Sequence, residues 1–293
     1  MIRKFLSPLV FRGFYTLSAI LILFWHADAL HADDKVAVAE LPILFDSRER
    51  LPKPDLSSLV RLRFLTATDF PPFNFTDQSG KLAGFHVDLA REICAELEIA
   101  DKCQIQALPF GDLRQALATS QGDAVLAGLA VTPELRQQFA FSRPYLMLPA
   151  RFVRNRSIDP AGSTVAALAG KRVGVVKATA HAAMLSTFFP AIIPIAFDDS
   201  QALLAAVKSG TVDAGFGDGL QLSFWTASPA AEKCCVLFDS AYLSQTFLGE
   251  GMTVMLRQQD GDLVAAINHA LATLSRNGRL QEIYRRYFPT PLY

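Results

Sequence analysis

The sequence has no excess of positive or negative charge, and the lack of a positive excess excludes some classes of partner. Lys and Arg together number 28, Asp and Glu together number 28, and the formal net charge at pH 7 is zero. A chain without a basic excess has no overall field that would favour nucleic acid or an anionic membrane surface. We therefore expect no nucleic-acid partner.

The sequence also lacks the ligand spacings of the common metal sites. Its four cysteines include no Cys-x-x-Cys pair, and its five histidines include no His-x-x-x-His pair. Structural and catalytic zinc sites use such spacings. The sequence therefore predicts no metal site, and we expect no cofactor.

Long uncharged apolar runs are missing after Ala32, and the one run before that point is short. It extends from Phe14 to Trp25, behind the basic residues Arg3, Lys4 and Arg12. A helix of this length rises only about 18 Å, whereas a bilayer core is about 30 Å thick. Small residues follow, so we predict a cleavable signal peptide over residues 1–32, cut after Ala29 or Ala32. An uncleaved anchor is the alternative.

Export would place the mature chain in an oxidising compartment, where disulfides persist. Cys94 and Cys103 flank the end of a predicted helix and the next predicted strand, and this spacing allows them to pair. Cys234 and Cys235 are adjacent, so a vicinal bridge, free thiols and another pairing all remain open.

What the chain does have is a regular alternation of strand and helix patterns. With 293 residues, 51% of them hydrophobic, it has room for about two domains. Alternation of this kind predicts an α/β fold.

Residues 33–60 contain three prolines and are expected to form a linker of low order. Strands are predicted at residues 62–67, 103–107, 124–128, 148–154, 171–176, 191–197, 212–216 and 252–257, and helices at 87–97, around 113–117, from 132, and at 179–188, 200–209 and 262–288.

Several short motifs occur in a fixed order along the mature chain. They are DFPPF at 69–73, GFHVDLA at 84–90, GDA at 122–124, TPE at 132–134, FSRPY at 141–145, GTVDA at 210–214 and the closing segment 278–289. Together, behind a signal peptide, they resemble the bacterial extracellular solute-binding proteins of family 3. These are the polar amino-acid receptors of ABC importers.

The resemblance implies a type II periplasmic-binding-protein fold. Two α/β lobes would be joined by two crossing segments near residues 148–153 and 246–251. Lobe one would comprise residues 60–149 plus 251–293, and lobe two residues 150–250. A ligand would bind in the cleft between the lobes and be buried by hinge closure. The protein would be a monomeric periplasmic receptor, not an enzyme, that delivers an amino acid or a related amine-bearing solute to a membrane permease.

The resemblance also implies a set of ligand-binding residues. Phe70 and Phe110 match two aromatic positions that would sandwich the ligand side chain, although either ring can instead belong to the core. Asp218 matches the carboxylate that receives the ligand ammonium, and its alternative role is to cap the following helix. Gly128 and Ala130 match a segment whose backbone faces the ligand.

Thr179 matches a loop in lobe two that presents the N-terminus of a helix, where backbone N–H groups favour anions. Lys177, His181 and Glu250 are further candidates near the cleft or hinge. For His181, a partly exposed helix position is the simpler interpretation.

The sequence departs from the family pattern at the position that binds the ligand carboxylate. Leu135 stands where the family has arginine, and Arg136 is the next residue. A shift of one residue turns a helical side chain by about 100°, so Arg136 either reaches the pocket or lies on the surface. Ala130 and Ala180 replace hydroxyl-bearing positions. Opines, amines and modified amino acids are therefore alternatives to amino acids.

Two other functions fit the same resemblance. The fold class includes periplasmic cyclohexadienyl dehydratases, which need a general acid and a carboxylate clamp. The chain shows no catalytic Ser/His/Asp or paired-carboxylate spacing. A solute-sensing accessory protein that serves no transporter is the other alternative.

Overall fold

The computed structural model describes residues 40–42, 44–46, 48–288 and 292–293. The predicted signal peptide lies outside these residues. No helix within the described ranges is long and apolar enough to cross a membrane.

The described residues form thirteen strands and nine α-helices. The strands are β1 (Leu62–Thr66), β2 (Asp69–Phe70), β3 (Asn74–Thr76), β4 (Leu82–Ala83), β5 (Cys103–Ala107), β6 (Ala124–Val125), β7 (Phe139–Phe141), β8 (Ala150–Asn155), β9 (Arg172–Val176), β10 (Ile193–Phe197), β11 (Ala214–Asp218), β12 (Cys235–Tyr242) and β13 (Met255–Arg257). The helices are α1 (Phe85–Glu96), α2 (Leu113–Ala118), α3 (Pro133–Gln138), α4 (Ala180–Phe188), α5 (Ser200–Ser209), α6 (Gly219–Ala227), α7 (Gln245–Leu248), α8 (Gly261–Arg276) and α9 (Arg279–Tyr287).

The first large sheet has the strand order β5-β1-β6-β13-β7. Strand β1 is parallel to both β5 and β6, while β13 is antiparallel to its two neighbours. Helix α1 packs against α8 and α9 beside this sheet. The spacing of Leu89, Ile93 and Leu97 predicted an amphipathic helix, and all three side chains are buried in the core.

The second large sheet has the order β10-β9-β11-β8-β12, with β8 antiparallel to β11 and β12. Its two faces are covered by separate apolar clusters. One cluster is centred on Phe152 and Phe216, and the other on Val153, Leu203 and Val207. Successive residues of β8 point to opposite faces, which explains why Phe152 and Val153 belong to different clusters.

Two segments run between the large sheets and pair with each other. One leads from β7 to β8, and the other leads from β12 through α7 to β13. Tyr145 donates its N–H to the Met252 carbonyl at 2.9 Å, and Met252 donates to the Leu146 carbonyl at 2.7 Å. Gly251 has φ +98°, and a Cβ there would lie 2.7 Å from the Leu146 oxygen, so the close pairing requires glycine.

The described part of segment 33–60 has no helix or strand, but it packs on the first sheet's helices. Phe45 is buried in the same core as α1, α8 and α9. The Leu41 amide donates to Gln281 Oε1 at 2.7 Å, and His269 Nδ1 lies 2.7 Å from the Leu51 carbonyl. The prolines indicated low order, whereas apolar side chains of the described part of this segment pack against the core.

Both pairs of cysteines form disulfides. Cys94 at the end of α1 is bonded to Cys103 at the start of β5, nine residues along the chain. Cys234 and Cys235 form a vicinal disulfide at the start of β12. The structure thus contains the expected Cys94–Cys103 disulfide. Of the alternatives left open for Cys234 and Cys235, it contains the vicinal bridge.

Candidate functional site

Three parallel strands of the first sheet end at the same edge, and three candidate residues follow them. Strand β1 is in register with β5 at Thr66 and Ala107 and with β6 at Leu65 and Val125. Phe70, Phe110 and Gly128 follow β1, β5 and β6 respectively. The carboxyl edge of an α/β sheet is where such folds bind ligands, because loops from several strands converge there.

The structure brings Phe70 and Gly128 into contact. Gly128 has φ +72°, and a Cβ at this position would lie 2.8 Å from Phe70 Cε1. The partly buried Phe70 ring stacks on Phe73 with a centroid distance of 4.8 Å and an interplanar angle of 27°. Phe70 therefore forms a wall that lies directly over the Gly128 backbone.

Phe110 and Ala130 are exposed at the same edge. Phe110 begins a short 3-10 helix, Phe110–Asp112, and its side chain is 45% exposed, so it is not a core residue. Within the part of the chain that the structure describes, no ring contact joins Phe110 to Phe70. The aromatic sandwich remains a prediction.

A buried histidine lies behind this wall, and sequence reasoning assigned it no role. His86 is 1% exposed, its Nδ1 lies 2.8 Å from Asn74 Oδ1, and its Nε2 lies 2.8 Å from the Tyr145 hydroxyl. A carbonyl oxygen only accepts, so Nδ1 carries the proton and Nε2 accepts from Tyr145. Burial lowers the pKa of His86 to about 3, and the ring is therefore neutral. This network connects the wall to the segment that crosses between the sheets.

Asp218 stands at the carboxyl end of β11, as its sequence position predicted. Its Oδ1 accepts from the Gln221 amide at 2.8 Å and so caps α6. The capping role is thus present, and it uses one carboxylate oxygen. Within the residues that the structure describes, Oδ2 accepts no hydrogen bond. A half-buried carboxylate with one oxygen uncommitted can receive an ammonium group.

Thr179 follows the neighbouring parallel strand β9 and caps α4. Its hydroxyl accepts from the Ala182 amide at 3.2 Å and donates to the Val176 carbonyl at 2.7 Å. His181, in the first turn of α4, lies near Asp218. Burial lowers the pKa of His181, while the Asp218 carboxylate acts in the opposite direction. Thr179, His181 and Asp218 therefore share one end of the second sheet.

Arg136 does not stand free on the surface. Its Nε donates to Glu250 Oε1 at 3.2 Å and its Nη2 donates to Glu250 Oε2, which makes a two-pronged ion pair. The guanidinium carbon lies 5.5 Å from the centre of the Phe141 ring. Leu135 packs against the neighbouring apolar cluster instead. The arginine is thus held by a carboxylate of the segment that returns to the first sheet.

The described residues contain no group of three or more His, Cys, Asp or Glu side chains that could hold a metal ion.

Comparison with known proteins agrees with this architecture. A sequence model described as bacterial extracellular solute-binding proteins, family 3, matches residues 62–290. The ABC transporter arginine-binding protein 1 of Escherichia coli K12 is 27% identical, and the alignment covers 80% of this chain and 93% of that protein. The lysine/arginine/ornithine-binding periplasmic protein of the same strain is also 27% identical, with 79% and 89% covered.

Among solved structures, an ancestral cationic amino acid solute-binding protein matches with a TM-score of 0.57 and 23% identity, covering 80% of this chain and 97% of that one. An ancestral cyclohexadienyl dehydratase matches with a TM-score of 0.64 and 18% identity, covering 80% and 95%. At these identities the likenesses show the fold, and they confirm the predicted α/β architecture.

Proposed function

Because the chain belongs to the bacterial extracellular solute-binding proteins, family 3, we propose that it is a periplasmic receptor for a cationic amino acid or a related amine-bearing solute. The observation that carries this proposal is the Asp218 carboxylate at the carboxyl end of β11, with Oδ2 uncommitted. The named relatives that bind arginine or lysine, arginine and ornithine support a cationic ligand.

The proposed cleft lies between lobe one, residues 60–149 plus 251–293, and lobe two, residues 150–250. Phe70 and Phe110 would hold the ligand side chain between them, and a cationic group would gain from the faces of the two rings. Gly128 and Ala130 would contact the ligand through the backbone, and Thr179 would present the N-terminus of α4. Hinge closure about the paired crossing segments would bury the ligand.

The receptor would act in the periplasm after cleavage of residues 1–32, as a monomer that passes its ligand to the permease of an ABC importer. It would bind its ligand without converting it, which the named amino-acid-binding relatives support.

A thermal-shift screen of residues 33–293 tests the proposal. The panel contains the amino acids, their decarboxylated amines, opines and simple carboxylates. A ligand at 100 times its dissociation constant stabilises the folded chain by about 2.7 kcal/mol, which is a readily measured shift. We expect a shift with arginine, lysine or an amine derived from them. A panel in which only simple carboxylates raise the midpoint would contradict the proposal.

A further inference from the structure

The pairing of Arg136 has a consequence for which ligands the site accepts. Arg136 would be the cation for a ligand carboxylate, yet Glu250 already occupies its guanidinium with both carboxylate oxygens. A ligand carboxylate and the Glu250 carboxylate are the same chemical group and would approach the same fork of N–H donors. Only one of them can make the two-pronged contact at a time.

The backbone that carries Arg136 is held at several points. The Thr132 hydroxyl caps α3 by accepting from the Leu135 amide, and Gln258 Nε2 donates to the Arg136 carbonyl at 2.8 Å. Leu135 is partly buried against an apolar cluster, so turning α3 would expose it further. The guanidinium also lies over the Phe141 ring.

Glu250 lies in a glycine-flanked turn of the segment that returns to the first sheet. It lies between Gly249, with φ +80°, and Gly251, with φ +98°. A Cβ at Gly249 would meet no atom within 4 Å, whereas Gly251 is packed against the Leu146 carbonyl. The backbone is held on both sides of Glu250, by packing at Gly251 and by the hydrogen bond from the Gly249 amide to the Gln245 carbonyl at 3.1 Å. The side chains of Glu250 and Arg136 are 44% and 46% exposed, so the ion pair is open to solvent and to a competing carboxylate.

We infer that Glu250 is an internal competitor for the ligand carboxylate at Arg136. A ligand that carries an α-carboxylate must displace Glu250, whereas an amine without that group leaves the ion pair intact. Glu250 therefore shifts the preference of the site from amino acids toward decarboxylated amines, such as agmatine or cadaverine. Removing the Glu250 carboxylate should reverse this shift. This inference rests on the proposed function, because it assigns the specificity of that site.

Matched ligand pairs isolate the carboxylate. We would titrate the mature chain, residues 33–293, with arginine and agmatine, and with lysine and cadaverine, by calorimetry. Exposed ion pairs contribute up to about 1 kcal/mol, and this corresponds to about a fivefold change in a dissociation constant. The Glu250→Gln variant should bind the amino acid of each pair about fivefold more tightly and should bind the amine with unchanged affinity.

The Arg136→Gln/Glu250→Gln double variant should lose this gain, because the gain requires the freed guanidinium. Glu282→Gln is the matched control, since Glu282 forms an exposed ion pair with Arg279 on α9. This control should leave the affinity for both ligands of a pair unchanged. The thermal unfolding midpoint of each variant reports whether it is folded.

An equal change for both members of a pair, or no change with Glu250→Gln, would overturn the inference and leave the proposed function standing. A gain that persists in the double variant would overturn it as well. If the wild-type chain bound neither the amino acids nor the amines, the proposed function would fall, and this inference with it.

Discussion

Lowering the pH from 7 to 5 should cost the folded chain about 2 kcal/mol of stability through His86 alone. The imidazole is fully buried, and its pKa is lowered from 6.5 to about 3. In the unfolded chain the same group takes up a proton as the pH falls through 6.5, whereas the folded chain keeps it neutral until about pH 3. The unfolded state therefore binds more protons over this range, and stability falls by about 1.4 kcal/mol per pH unit below 6.5.

Urea unfolding of residues 33–293 at pH 7, 6 and 5 measures this effect. The His86→Gln variant should be less stable than the wild type at pH 7, because it loses the bond from Tyr145 and the packing of the ring. Its stability should then fall by about 2 kcal/mol less than that of the wild type between pH 7 and 5. Some dependence should remain, because burial also lowers the pKa of His181.

The matched control is His269→Gln. His269 lies outside the His86 network and is bonded to the Leu51 carbonyl. If His86→Gln had the same pH dependence as the wild type, the buried, neutral assignment of His86 would be refuted. A pH dependence lost equally in both variants would also refute it.

Two further predictions concern a disulfide and a glycine. Replacing Cys94 and Cys103 by serine should lower the free energy of unfolding by roughly 2–3 kcal/mol, because the bond closes a loop of about ten residues. Urea unfolding measures the loss, and an unchanged free energy of unfolding would contradict the prediction. Gly128→Ala should weaken ligand binding at least tenfold, because its Cβ meets the Phe70 ring. Gly170→Ala is the matched control in the same titration, since Gly170 also has a positive φ, +71°, but a Cβ there would meet no atom within 4 Å. Equal affinities in the two variants would refute the role of Phe70 as a wall.

Elements with a clear local pattern could be predicted from the sequence. Leu89, Ile93 and Leu97 recur at helical spacing, and they form the buried face of α1. Thr132 followed by proline predicted the start of α3, where the hydroxyl caps the helix. In α1 the periodic pattern agrees with the burial, whereas in α3, which has no buried residue, the capping signal alone was sufficient.

One helix and one strand, both between β11 and β13, were missed because their local patterns are weak. Helix α6 starts with Gly219, and apolar residues are spread around it, so no helical period stands out. Strand β12 begins at the second of two adjacent cysteines and contains Asp239 with φ +60°, and its pairing with β8 shifts register before Tyr242. A bulged strand does not show regular alternation.

The parts of the site that could not be predicted are long-range polar contacts. His86 meets Tyr145 across 59 residues, and Arg136 meets Glu250 across 114 residues. No spacing in a single sequence encodes such pairs. Asp218 illustrates a different limit, since a helix cap and a ligand-binding carboxylate have the same sequence signal, and the structure shows the cap on only one oxygen.

The most direct test of the account is a calorimetric titration of the wild-type chain and two aspartate variants with the cationic ligand that the screen identifies. Asp218 and Asp199 both cap a helix by accepting a backbone N–H at 2.8 Å, but only Asp218 is assigned to the ligand ammonium. We expect Asp218→Asn to lose at least a hundredfold in affinity, in line with the cost of removing one member of a buried charge pair, and Asp199→Asn to bind as the wild type does. Wild-type affinity in Asp218→Asn would contradict the central claim.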